Sequence, residues 1–248
     1  MRLAAFLLAV STVAAAQSTA PNANWSYQGK IGGLDWGKLD PAYRICSKGH
    51  EQSPIDIRGA RLNAKLQPIE FHYIAGPVTL INDGRVIVAK VDPGSYILTG
   101  GVRYDLVEYS FHHPSEATVK GKLSDMEIQL LHKSADGKLA ILAIRLIEDI
   151  GNPNATLAAL WPHLPRTAGA SDKVDDMVST AGLLPADRGY WTYTGSLSTP
   201  PCTEGVRWFV FERELGLSRD QLRTFAALFR INTRGLQDAH GRRIEANE

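Results

Sequence analysis

From residue 69 onward, apolar and polar positions alternate in short runs rich in Val, Ile and Tyr, broken by turn residues. That period of two predicts strands at 69–73, 78–81, 86–91, 96–98, 106–112, 126–133, 139–146, 190–195 and 206–211. Turns are marked by Asn82-Asp83-Gly84, Asp92-Pro93-Gly94, Gly100-Gly101 and Asp136-Gly137, with Asp83-Gly84 reading as a hairpin turn. Only two stretches carry a helical period. One runs over 154–164, with Asn154 as cap and Leu157, Leu160, Trp161 and Leu164 apolar. The other opens at Ser218-Arg219-Asp220-Gln221, a capping box, and carries Leu222, Phe225, Leu228 and Phe229 on one stripe. The expected fold is mainly β with peripheral helices, as one domain over 25–248.

Upstream of this body the pattern changes. Trp25, Tyr27 and Trp36, spaced by Gly29, Gly32 and Gly33, predict an irregular segment pinned by ring burial. The 52–57 stretch, Gln-Ser-Pro-Ile-Asp-Ile, reads as a short edge segment, because Pro54 bars a central strand. Residues 17–24 are small and polar, a flexible lead-in. Met1-Arg2, the apolar run 3–13 and Ala14-Ala15-Ala16-Gln17 have the form of a signal peptide cut after Ala16. The run is too short for a stable membrane anchor. The expectation is an exported chain, periplasmic or extracellular.

Removing sixteen residues from 248 leaves 232, ample for a sizeable core. With Arg2 gone, 26 basic residues balance 26 acidic ones, which argues against nucleic acid or an anionic membrane as partner. Cys46 and Cys202 are the only cysteines. In an exported chain such a pair reads first as a disulfide, with two free thiols or half a metal site as alternatives.

The chemistry concentrates in Glu108-Tyr109-Ser110-Phe111-His112-His113-Pro114-Ser115-Glu116 and Glu127-Ile128-Gln129-Leu130-Leu131-His132. Alternation puts Glu108, Ser110 and His112 on one face of the first segment, and Glu127, Gln129 and Leu131 on one face of the second. A site built there offers one imidazole, one hydroxyl and one carboxamide. His113 and His132 point the other way and read as buried or supporting side chains. Ser110 or Ser198 beside His112 would be a hydroxyl–imidazole pair, but no Gly-x-Ser-x-Gly elbow accompanies it.

These segments, taken with the 25–36 stretch, Gln52 to Asp56, the 190–202 run ending Ser-Leu-Ser-Thr-Pro-Pro-Cys, and Asn232-Thr233-Arg234, resemble the α-class carbonic anhydrases over most of the chain. The resemblance implies a large, twisted, mostly antiparallel sheet with a central conical pocket, and a Cys46–Cys202 disulfide. It also implies zinc held by three histidines and reversible hydration of carbon dioxide. Mapped onto this chain, the ligand positions are Ser110, His112 and Gln129, so only one is histidine. The expectation is therefore no zinc cofactor and little or no hydratase activity, and a binding or structural role. The alternative is a hydratase using displaced zinc or another metal, for which Glu108, His112 and Gln129 would be a weak donor set. No residue is assigned a catalytic role. The remnants of the machinery are Glu116, Ser198 and Thr199, with Ser198 in place of the family threonine whose hydroxyl proton goes to the carboxylate matching Glu116. Glu127 matches a carboxylate that orients a histidine at position 129. Leu131, Ile141, Leu197, Val206 and Trp208 match the apolar wall, and Arg85 replaces the family's proton-shuttle histidine. With Arg85, Glu108 and Glu116 around it, the pocket is expected to suit a small polar or anionic ligand.

Overall fold

The structure is a computed structural model that describes residues 24–149 and 154–247. The expected signal peptide (1–16) and most of the lead-in lie outside the described residues. Among those described, thirteen strands form one large sheet. Its main path runs Ser171–Ser179, Ala75–Asn82, Ile87–Val91, Val102–His112, Met126–Ser134, Leu139–Glu148, Glu204–Phe211, Tyr190–Ser196, Glu245–Ala246 and Arg61–Leu62. Most neighbours are antiparallel. Parallel pairs occur where Leu139–Glu148 meets Glu204–Phe211 and Leu215–Leu217, and where Glu245–Ala246 meets Arg61–Leu62. The strands expected from alternation all form, with ends shifted by a few residues.

The main core lies on one face of this sheet. Tyr109 and Phe111 pack there with Ile128, Leu130, Leu142 and Ile144, under the helix Arg219–Leu228. That helix carries its capping box: the Ser218 hydroxyl accepts from the Gln221 backbone N–H, and the Gln221 side chain accepts from that of Ser218. Its Phe225 is fully buried, and Leu222 and Leu228 flank it. The other expected helix is shorter than its pattern. Capped by Asn154, it runs Ala155–Leu160 and then tightens into a 3-10 turn at Trp161–His163. Pro162 has no N–H to extend the α ladder.

Several two- and three-residue strands and one long one escaped the alternation rule. Ser171–Ser179 buries only Val174 and Val178, and its register with Ala75–Asn82 slips between them. An edge strand carrying Asp172, Lys173, Asp175 and Asp176 has one satisfied side and a charged outer one, a composition that discourages further pairing but hides the strand from a hydrophobic pattern. The segment at Gln52 forms only the two-residue strand Asp56–Ile57, parallel to Thr118–Val119.

The aromatic N-terminal segment is pinned as expected. Trp25, Tyr27 and Trp36 pack edge to face, and Trp36 Nε1 donates to the Ser26 carbonyl at 2.7 Å. Beneath Trp36 lies the Cys46–Cys202 disulfide. It joins the segment before the sheet to the loop after Tyr190–Ser196, across 156 residues of chain.

Candidate functional site

The site forms on the face of the sheet opposite the main core. Antiparallel register sets Ser110 opposite Gln129, His112 opposite Glu127 and Glu108 opposite Leu131. The side chains that alternation placed on common faces are therefore brought together across two strands. Above them, the loop after Tyr190–Ser196 adds Leu197, Ser198 and Thr199. Together they line a cavity of about 100 Å³.

On the cavity floor, two hydrogen-bonded chains take up the polar groups. In the first, His112 Nδ1 faces the Asn232 carbonyl at 3.0 Å, and Nε2 faces the Ser110 hydroxyl at 2.9 Å. A carbonyl can only accept, so Nδ1 carries the proton in the neutral ring and Nε2 accepts from Ser110. Asn232 is held in turn, its side chain accepting from the His113 backbone N–H and donating to the Phe111 carbonyl. In the second chain, the Gln129 amide nitrogen donates to Glu116 at 2.8 Å and to Glu127 at 2.9 Å. Two carboxylates on one side fix the amide with its nitrogen toward them and its oxygen toward Ser198, whose hydroxyl lies 3.4 Å away.

Both carboxylates are fully buried, and each takes one backbone N–H, from Arg234 for Glu116 and from Ala117 for Glu127. Burial, reinforced by the negative charge of Glu116, pushes the Glu127 carboxyl up to about 7. The Gln129 amide is the group that bridges the two carboxyls.

This arrangement changes several expectations. Glu116 does not take the Ser198 proton: it accepts from the Gln129 amide and from the Arg234 backbone N–H. Ser198 turns to the Gln129 oxygen instead. Glu108 lines the cavity but is ion-paired with Lys90, so it does not converge with His112 and Gln129 as a donor set. Arg85 does not line the cavity. Its guanidinium lies 4.5 Å over the Trp25 ring and donates to the Trp25 carbonyl, drawn there by the aromatic face. Leu131, Ile141 and Leu197 do line the wall. Val206 and Trp208 do not: both are buried in the apolar cluster that also contains the wall residue Ile141, with Trp208 stacked on Tyr193. His132 is buried on the core side against the Tyr73 hydroxyl, and His113 Nδ1 sits 3.0 Å from the Arg230 carbonyl. Sequence reasoning did not assign Tyr27, Val86 and Val88 to the cavity, though all three line it. Tyr27 stood out only as a ring to be buried. Nor did it give Asn232 its part in holding His112.

Among the described residues, no group of three or more His, Cys, Asp or Glu side chains is placed to hold a metal ion. No described helix is long and apolar enough to cross a membrane.

A family model described as eukaryotic-type carbonic anhydrase matches residues 32–248. The chain belongs to that family. A carbonic anhydrase of Klebsiella pneumoniae is 40% identical over 222 residues, covering 88% of this chain and 89% of the relative. Among solved structures, the α-carbonic anhydrase of Thermovibrio ammonificans, in complex with the inhibitor sulfanilamide, superposes with a TM-score of 0.87 at 34% identity. It covers 91% of this chain and all of that one. Dioscorin, solved as a complex with ascorbate, superposes at 0.80 with 28% identity, covering 90% and 97%. The carbonic anhydrase fold thus carries a floor in this chain made of a serine, a histidine and a glutamine.

Proposed function

We propose that this chain is an exported carbonic anhydrase family member that holds no catalytic zinc and serves as a small-molecule binding protein. The observation that carries this reading is the donor set at the floor. A structural or catalytic zinc site is built from thiolates, neutral imidazoles and carboxylates, whereas a serine hydroxyl and a carboxamide oxygen are poor donors. Here the imidazole nitrogen facing the cavity already accepts from Ser110, and the Gln129 nitrogen is committed to two carboxylates. In carbonic anhydrases the zinc ion lowers the pKa of its bound water to about 7. Without that ion there is no hydroxide at neutral pH to attack carbon dioxide. The fold still supplies a cavity with a polar floor and an apolar wall, the usual form of a small-ligand site. Related folds hold small organic molecules, as the sulfanilamide and ascorbate complexes show for those two proteins. Export rests on the 1–16 segment, and N-terminal sequencing of the mature protein beginning at Gln17 would support it.

The alternative is a working carbonic anhydrase using displaced zinc or another metal, which the shared name of its relatives favours. The double substitution Ser110→His with Gln129→His separates the two. It is expected to gain one tightly held zinc and measurable carbon dioxide hydration where the parent has neither. A folded double variant that takes up no zinc, or a parent already matching it in metal and rate, would overturn the reading.

A further inference from the structure

The character of the cavity wall sets which small molecule fits, given the reading above that no zinc sits at its floor. We infer that the cavity selects a small neutral molecule bearing N–H or O–H donors and one acceptor, and excludes anions. This is opposite in charge preference to a pocket centred on a metal cation.

Three observations carry it. First, among the described residues no lysine or arginine lines the cavity, and Lys90, Arg85 and Arg234 are committed elsewhere. Lys90 pairs with Glu108, and Arg85 lies over Trp25. The Arg234 guanidinium donates to Gln52, Ser53 and Cys46 oxygens. Second, two buried carboxylates, Glu116 and Glu127, lie directly behind the Gln129 amide. An anion placed on the other side of that amide meets their field in a region of low dielectric. Third, the polar atoms left over are neutral. The Gln129 oxygen and the Ser110 oxygen face the cavity as acceptors, while Ser198 and Thr199 bring hydroxyls. The cavity, at about 100 Å³, is well below the ~300 Å³ of drug-sized sites, so the molecule has only a few non-hydrogen atoms.

Acetamide and acetate test this directly, being nearly identical in shape and different in charge. Both are titrated into the full-length mature chain after its zinc content has been measured, with the side-chain amide resonances of Gln129 and the ring resonances of His112 followed by NMR. Acetamide is expected to shift both sets and to saturate at a concentration at least about tenfold lower than acetate, which is about 1.4 kcal/mol of discrimination. Ser110→His with Gln129→His, loaded with zinc, should reverse the preference toward acetate. In a metal-free chain, acetate binding as well as acetamide, or neither ligand shifting these resonances, overturns this inference and leaves the proposal of a zinc-free centre standing. One zinc per chain, with acetate binding abolished by a chelator, overturns both.

Discussion

The strands Val102–His112 and Met126–Ser134 have two faces that are built differently. On the core face, Tyr109, Phe111, Ile128 and Leu130 are completely buried among other apolar side chains. On the cavity face, Ser110, His112, Glu127 and Gln129 are joined by directional bonds between 2.8 and 3.0 Å or held to nearby loops. The core face works by area and shape, and many apolar residues of the right size would satisfy it. The cavity face works by donor and acceptor identity, and a single change of residue type alters what it can do. The fold can therefore superpose at a TM-score of 0.87 on an enzyme that binds sulfanilamide while its own floor carries different chemistry.

If that contrast is right, the largest loss should come from the core face. Phe111→Ala is expected to cost about 3–5 kcal/mol of unfolding free energy, measured by urea denaturation, because it removes a large ring and leaves a void. A loss below about 1 kcal/mol would mean that this face is not the structural one.

The next effect sharpens the contrast through pH, since each face buries a titratable group whose shift has the opposite sign. Burial lowers His132, on the core face, from 6.5 to about 4, so its contribution to stability is present above 6.5 and lost as pH falls toward 4. Glu127, on the cavity face, is raised from 4.5 to about 7, so its contribution is present below 4.5 and lost as pH rises through 7. Each shift corresponds to roughly 3 kcal/mol, and across pH 4.5 to 6.5 the two slopes oppose. The parent is expected to show nearly flat stability over that window. Glu127→Gln should unmask a rise with pH, and His132→Gln a fall. Urea midpoints at a series of pH values check this; parallel profiles for all three proteins would contradict it.

Smaller effects come from the floor itself. Gln129→Leu leaves Glu116 and Glu127 facing each other without their bridging amide, and is expected to cost about 2 kcal/mol, more at high pH than at low. Ser110→Ala removes one hydrogen bond to His112 from a half-buried hydroxyl and should cost about 1 kcal/mol or less, with the ring held by Asn232.

Much of this was legible in the sequence, for identifiable reasons. The strands of the central sheet announced themselves by period-two alternation, and the helix at Ser218 by its capping box, because both signals are local. That Ser110 shares a face with His112, and Gln129 with Glu127, followed from parity within each strand; the register that brings the two faces together did not. The partners of those residues did not. Glu116 is bound to Gln129 and to the backbone of Arg234, a residue 118 positions away, and His112 to Asn232 across 120. Such contacts are fixed by the folded register and leave no local pattern. Arg85 was placed in the pocket by correspondence with a family position, whereas an aromatic face contributed from sixty residues earlier decides where its guanidinium lies. Ser171–Ser179 was missed because its charges face outward from a sheet edge, where alternation carries little apolar signal.

The central claim is that the serine and glutamine positions leave the floor without a catalytic metal. Equilibrium dialysis of the mature parent protein against zinc, with carbon dioxide hydration followed on the same samples, tests it most directly. The account predicts bound zinc far below one per chain and hydration no faster than buffer. One zinc per chain, with hydration that disappears on chelation and returns on adding zinc back, would contradict it.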